Sequence, residues 1–226
     1  AMRHRFILGD VETTGVGSTD AVCEVAWTEI DESFAVLRSG CSLINPEKPI
    51  HYAASAVNGI TDAMVADAPT LAQYMESVGN PLSVEGAVLV AHNAAFDFRF
   101  LKPFMANDAQ TLCTLKMSRI AYPDATNHKQ GTLAAMLGIH VAREKAHSAD
   151  GDLDVLLQLV RCLCRDLDCG LAGLLHIQSI PRPLTKMPFG KHKGTDLSAL
   201  PKKYVSWVLT EVKNLDPDLR AALLAL

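Results

Sequence analysis

The chain has 226 residues, 24.4 kDa, with 49% hydrophobic and 20% charged side chains, enough to bury a sizeable core and too apolar for global disorder. No apolar run approaches the ~18 residues of a membrane span. The net charge of −4 excludes polyanion binding by bulk charge alone, yet it is unevenly spread: residues 1–176 carry 13 basic and 21 acidic side chains (net −8), and residues 177–226 carry 8 and 4 (net +4).

Ala1 ahead of Met2 reads as a cloning remnant, and no apolar signal core follows it. Cys23, Cys41, Cys113, Cys162, Cys164 and Cys169 form no C-x-x-C pair, which argues against zinc, and a chain with a full core needs no disulfides. They read as reduced thiols, most of them buried, in a cytoplasmic protein.

In chain order, Arg5 to Glu12 reads as a central strand. Ala21 to Ile30 and Phe34 to Ile44 follow as an antiparallel hairpin turning at Asp31–Ser33. Helical spacing runs from Ser55 to Val78, broken by Pro69. Ala87 to Val90 is a short buried strand, Ala94 to Met105 a helix interrupted by Pro103, and Gln110 to Thr114 a last strand. Lys116 to Ala121 and Thr132 to Leu137 are short helices. Asp152 to Arg165 is the strongest, with Leu153, Leu156, Leu157, Val160 and Leu163 on one stripe. A strand meander followed by alternating helix and strand predicts an α/β domain with a mixed sheet over residues 1–176. Residues 177–188, with three prolines, read as a linker, and 189–226 as a small basic, helical C-terminal domain.

Asp10 and Glu12 stand at i and i+2, so on a strand both point to one face. Two carboxylates in an apolar core are costly without a partner, and no Lys or Arg lies between Arg5 and Arg38. A divalent cation would resolve the conflict. The alternative is that the strand ends at Gly9 and both acids are solvated. Asp97 follows the buried strand at the start of a helix, where functional groups gather in open α/β sheets, although any acid there is favoured by the helix dipole. Asp152 opens the strongest helix, and Asp150 and Asp154 could serve there equally. His147, five residues before Asp152, is an ordinary helix-end histidine unless a metal site adjoins it; then it becomes a natural general base.

These residues together resemble the DEDDh 3′→5′ exonucleases, the DnaQ-like or RNase T-like family. The pattern D-x-E-T-T-G matches Asp10 to Gly15, A-H-N-x-x-F-D-x-x-F-L matches Ala91 to Leu101, and H-x-A-x-x-D matches His147 to Asp152. Val57 to Pro69 is similar to a further family segment, with Asn58 where histidine is common, a position read as non-catalytic; Asn127 to Ile139 is also similar. The resemblance implies a ribonuclease H-like fold and two Mg²⁺ or Mn²⁺ ions held by Asp10, Glu12, Asp97 and Asp152. It implies His147 as general base, and stepwise hydrolysis at 3′ ends to nucleoside 5′-monophosphates. Thr13, Thr14 and the Gly15 backbone would grip the terminal nucleotide, Val16 would wedge against its base, Asn93 would orient the site, and Phe96 would be core or stacking platform. His92 is left structural.

The tail pattern F-G-K-x-x-G at Phe189 to Gly194, with Tyr204 and Trp207 beyond it, is similar to the tail of one DNA-degrading branch of that family. It is not a P-loop. Its lysines, Lys191 and Lys193 foremost, would contact DNA phosphates, or else form a solvated cap. DNA 3′ ends are the expected substrate, single-stranded and also duplex. RNA ends are the alternative, and a non-catalytic binding protein of the same fold is a third reading. No membrane partner is expected, and a homodimer stays open.

Overall fold

The computed structural model describes residues 4–213 and 215–226. It divides into two units, one ending at Gln178 and the other beginning at Ser179.

The first unit is built on a five-stranded sheet in the order β3-β2-β1-β4-β5. β1 (Arg5–Thr13), β2 (Val22–Ile30) and β3 (Val36–Leu43) form the antiparallel meander. β4 (Ala87–Ala91) and β5 (Gln110–Cys113) join β1 in parallel. The predicted mixed sheet is therefore present, with β1 central. Asp31 makes the hairpin corner: one carboxylate oxygen accepts from the Ser33 hydroxyl and from the Ser33 and Ala35 amides. This holds Phe34 in the left-handed region (φ 67°), so β3 starts at Val36 rather than Phe34.

Alternation along β1 sorts its side chains between two cores. Ile7 and Val11 join the core with α3 (Leu71–Ser77) and α4 (Ala94–Leu101). Phe6 and Leu8 face the opposite core, formed with α5 (Thr114–Ala121), α6 (Gln130–Leu137), α7 (Ala149–Asp166) and α8 (Leu171–Ser179). Asp10 and Glu12 share the parity of Phe6 and Leu8, so they lie on the face against which α7 packs. That places Asp152, in the first turn of α7, over them.

Several boundaries differ from the sequence reading. The segment from Ser55 to Val78 is three helices: α1 (Tyr52–Asn58), α2 (Asp62–Val65) and α3. Gly59 at φ 71° ends the first, and Pro69 precedes the third. α4 stops at Leu101 because Pro103 cannot continue it, and Lys102–Phe104 tightens to a 3₁₀ turn. α7 begins three residues before Asp152, capped by Ser148, whose hydroxyl accepts from the Gly151 amide at 3.1 Å. Residues 177–179, read as linker, are the last turn of α8. That helix was missed because its apolar residues cover most of its surface and leave no polar face. Its Gln178 side chain accepts from the Cys113 amide and donates to the Thr111 carbonyl, both at 2.8 Å, completing the edge of β5 as a further strand would. The cysteines are all free, as expected, but only Cys23 and Cys164 are buried; Cys41 is exposed and the other three half-buried.

The second unit contains α9 (Lys202–Glu211) and α10 (Pro217–Leu224) around a small core of Met187, Leu197, Leu200, Val208, Leu219 and Leu223. A loop closes on itself ahead of them: the Met187 amide donates to Thr195, and the Gly194 amide donates back to Met187. Among the described residues, no helix is long and apolar enough to cross a membrane.

Candidate active site

Asp10, Glu12 and Asp152 place carboxylate oxygens within 4.8 Å of one another. The solvated alternative for Asp10 and Glu12 does not hold, because β1 continues through both to Thr13. One oxygen of Asp10, Oδ2, is buried with no hydrogen-bond partner. The arginines of the meander are occupied elsewhere: Arg5 and Arg38 clamp the buried Glu29 at 2.6 and 2.7 Å, at its other end. Burial alone would raise Glu29, but the two guanidiniums hold it below its usual range.

No such relief reaches the carboxylate cluster. Burial, then the charges of Asp97 and Asp152, push the Asp10 carboxyl well above its ordinary range. Burial together with Asp152 and Glu24 raises Glu12 to about 8. Burial raises Asp152 to about 6, with His147 pulling the other way. The fully charged cluster is thus unfavourable without a cation, and an all-oxygen donor set with one orphaned oxygen fits a hard divalent ion.

Asp97 stands outside the close triad. It is 4% exposed, and its Oδ1 accepts from the Val11 amide at 3.2 Å. The reason lies in the sheet: β4 pairs with β1 only as far as Leu8, so the Val11 amide on that side needs another acceptor. Burial raises Asp97 to about 7, partly offset by that amide.

His147 is exposed and left-handed at φ 62°. The turn carrying it is tight: a side chain at Gly151 would collide with the Lys145 carbonyl, which explains glycine between Asp150 and Asp152. His92 is structural, as expected. Its ring bridges the Thr114 hydroxyl at 2.9 Å and the His128 carbonyl at 2.7 Å, and burial lowers its pKa.

The loop after β1 is held together by its own side chains. The Thr13 and Thr14 hydroxyls turn inward, to the Gly15 carbonyl and to Asp20, each at 2.7 Å. What the loop presents is its Gly15–Gly17 backbone and Val16, which is 82% exposed at the tip. Asp20 also accepts from the Gly17 amide, and its carboxylate fills the space a side chain at Gly15 would need. Asn93 is exposed and left-handed at φ 71°, and its side chain makes no cap on α4. Phe96 is half-buried, edge-on to Phe100 at 5.3 Å, with Arg99 over both rings. Lys191 and Lys193 belong to the second unit.

Two residues at the site escaped the sequence reading. Glu24 sits opposite Glu12 in the β1–β2 register, and its Oε1 accepts from the Ala149 amide at 2.6 Å, at the start of α7. Its signal was an acid with the inward parity of Ala26 and Ile30. Asn58, set aside as non-catalytic, donates to the Thr13 carbonyl at 3.4 Å, and its side chain hydrogen-bonds Glu12 and lowers its pKa.

The fold and this carboxylate arrangement define a class, and comparison agrees: the chain belongs to the RNase T family, whose model, described as "Exonuclease", matches residues 7–160. A second model, described as "Putative quorum-sensing-regulated virulence factor", matches residues 180–212. Among individual proteins, a DNA polymerase III subunit epsilon-like protein of Rhodobacter capsulatus is 39% identical over 157 residues, which is 65% of this chain but 22% of that protein. Exodeoxyribonuclease 10 of Escherichia coli K12 is 26% identical over 223 residues, 94% of this chain and 95% of that one. Among solved structures, Exonuclease X in complex with 5′ overhanging duplex DNA superposes with TM-score 0.55 at 24% identity, covering 70% of this chain and 92% of that one. E. coli Exonuclease I in complex with a dT13 oligonucleotide gives 0.65 at 16% identity, covering 80% and 45%. Both likenesses are of fold.

Proposed function

We propose that this chain is a 3′→5′ exonuclease that removes nucleoside 5′-monophosphates from DNA 3′ ends, using Mg²⁺ or Mn²⁺. The observation that carries this reading is the convergence of Asp10, Glu12 and Asp152 within 4.8 Å, with a buried Asp10 oxygen left unpartnered. Asp10, Glu12 and Asp152 would hold divalent cation directly, with Asp97 closing the site from α4. Bound metal supplies charge to stabilise a phosphodiester's transition state and to lower the pKa of water.

The protein's own groups do the rest. His147, on its exposed turn beside Asp152, accepts the proton of the attacking water. Ser148 and Glu24 fix the first turn of α7 and with it the position of Asp152. The Gly15–Gly17 backbone and Val16 receive the terminal nucleotide, Val16 lying against its base. DNA is favoured over RNA by the relatives that match the chain along its length, one a deoxyribonuclease by name. The test is digestion of 5′-labelled single-stranded DNA, blunt duplex DNA and RNA of one sequence with Mg²⁺. A ladder shortening from the 3′ end of DNA supports the proposal, and preferential RNA trimming replaces the substrate while keeping the chemistry.

A further inference from the structure

The second unit brings two separated pieces of sequence to one surface. The 3₁₀ turn Gly190–His192 lies on α9 at Tyr204. The His192 ring meets Tyr204 edge-on at 4.4 Å, Lys191 Nζ stands 5.5 Å from the Tyr204 ring centre, and Trp207 stacks on Tyr204 at 5.9 Å and 25°. Gly190 permits the approach. It is left-handed at φ 72°, and a side chain there would press on the Tyr204 hydroxyl at 2.9 Å. The pattern F-G-K-x-x-G and the Tyr204–Trp207 pair thus build one structure.

Tyr204 packs against the unit's small core, but Trp207 does not. Trp207 is 52% exposed and outside the small apolar core, whereas Trp27 in the first unit is 5% exposed. Phe189, beside the turn, is 37% exposed. Lys191 stands against the Tyr204 ring, and Lys202 and Lys203 immediately precede Tyr204 in α9. Lys203 is one helical turn before Trp207 on the same face, and among the described residues Lys191, Lys193, Lys202 and Lys203 make no ion pair. From 182 to 203 there are six basic side chains and one acid, Asp196, whose backbone pairs with that of Lys186 in an isolated antiparallel bridge.

We propose that His192, Tyr204 and Trp207, with Lys191 and Lys203, form a binding surface for unpaired nucleic acid, one base stacking on Trp207 while the lysines meet the flanking phosphates. Open aromatic faces beside unpaired cations are the recurring means of holding single strands without sequence preference. A duplex keeps its bases stacked on one another and offers such rings only its ends. The inference deepens the nuclease reading and rests on it for DNA as the polymer, but it uses none of the carboxylate chemistry. A strand held on the same chain stays at raised local concentration for the nuclease site.

The test uses the full chain in EDTA, so nothing is cut, with fluorescein-labelled oligo(dT) of about 16 nucleotides. Trp207→Ala is expected to weaken binding by about tenfold. Lys191→Glu with Lys193→Glu is expected to weaken it and flatten its salt dependence. Oligo(dT) should also quench the intrinsic emission of the unaltered protein, and Trp207→Phe should keep most of the binding while losing the quench. Unchanged binding in both the Trp207→Ala and lysine variants overturns the proposal, as does absence of quenching. Blunt duplex competing as well as oligo(dT) overturns the unpaired-strand assignment. Quenching that follows protein concentration instead of oligo(dT) assigns the surface to a second copy of the chain. In parallel, Mn²⁺-dependent hydrolysis of thymidine 5′-(p-nitrophenyl phosphate), a substrate with no strand to hold, should be equal in all variants. Its absence in the unaltered protein defeats the nuclease reading and leaves the binding result to stand by itself.

Discussion

At the scale of single residues, the site separates groups that hold charge from groups that place them. His147 is exposed on the turn ahead of α7, while Asp152 lies within the first turn of that helix. His147→Ala is expected to lower kcat on a short DNA substrate by about 10²–10⁴-fold with little change in KM, read from initial rates. Glu24 works differently. Glu24→Ala leaves the Ala149 amide unsatisfied at the start of α7 and should cost about 1–3 kcal/mol in urea unfolding, whereas Glu24→Gln keeps an acceptor and should cost far less. Equal losses from the two variants would show that charge, not the cap, is what Glu24 contributes. Asp10 and Glu12 were legible in the sequence because a pair at i, i+2 in an apolar strand leaves few explanations. Glu24 was not, since one acid in a strand signals nothing until its inward parity is known. The inward turn of Thr14 depends on Asp20, six residues further on, a contact no local pattern announces.

At the scale of elements, β1 and α7 create the site by opposing an acidic strand end to an acidic helix start. The consequence is a metal-free protein under strain at high pH. Glu12 at about 8, Asp97 at about 7 and Asp152 at about 6 all lie above ordinary carboxyl values, and Asp10 is raised as well. Carboxyls raised on folding favour the folded state most at low pH, where they are protonated in both states, and that contribution is lost as pH climbs through the folded values. In EDTA the Tm should therefore fall between about pH 5 and pH 8, and saturating Mg²⁺ or Mn²⁺ should remove most of the fall. A Tm that is flat or rising over that window in EDTA would contradict the arrangement. The strands were read from sequence almost to their ends because β1, β2 and β4 are short apolar runs bounded by turn residues. α8 was not, because it is apolar nearly all round and its decisive polar residue, Gln178, serves a strand 65 residues earlier. Gln178→Ala should speed amide exchange at Cys113 while leaving exchange in β1 unchanged, as read by hydrogen–deuterium exchange.

At the scale of the whole molecule, an acidic unit carrying the carboxylates is joined to a basic unit carrying open aromatic rings. The order and spacing of the three carboxylate motifs made the first unit and its family legible, since that chemistry demands fixed residues. The second unit was legible as a charge reversal, as a small helical domain and as the tail pattern F-G-K-x-x-G with Tyr204 and Trp207 beyond it, but not as one surface. Its aromatic surface arises where a glycine turn folds onto a helix begun about ten residues later, and neither segment declares the other. The central claim is that the Asp10 cluster hydrolyses DNA from its 3′ end, and digestion of 5′-labelled single-stranded DNA by the full chain tests it most directly. With Mg²⁺ or Mn²⁺ a ladder of steadily shorter labelled products should form, and it should vanish in EDTA and in Asp10→Asn. Internal fragments, release of the 5′ label as a mononucleotide, or undiminished cutting by Asp10→Asn would contradict the account.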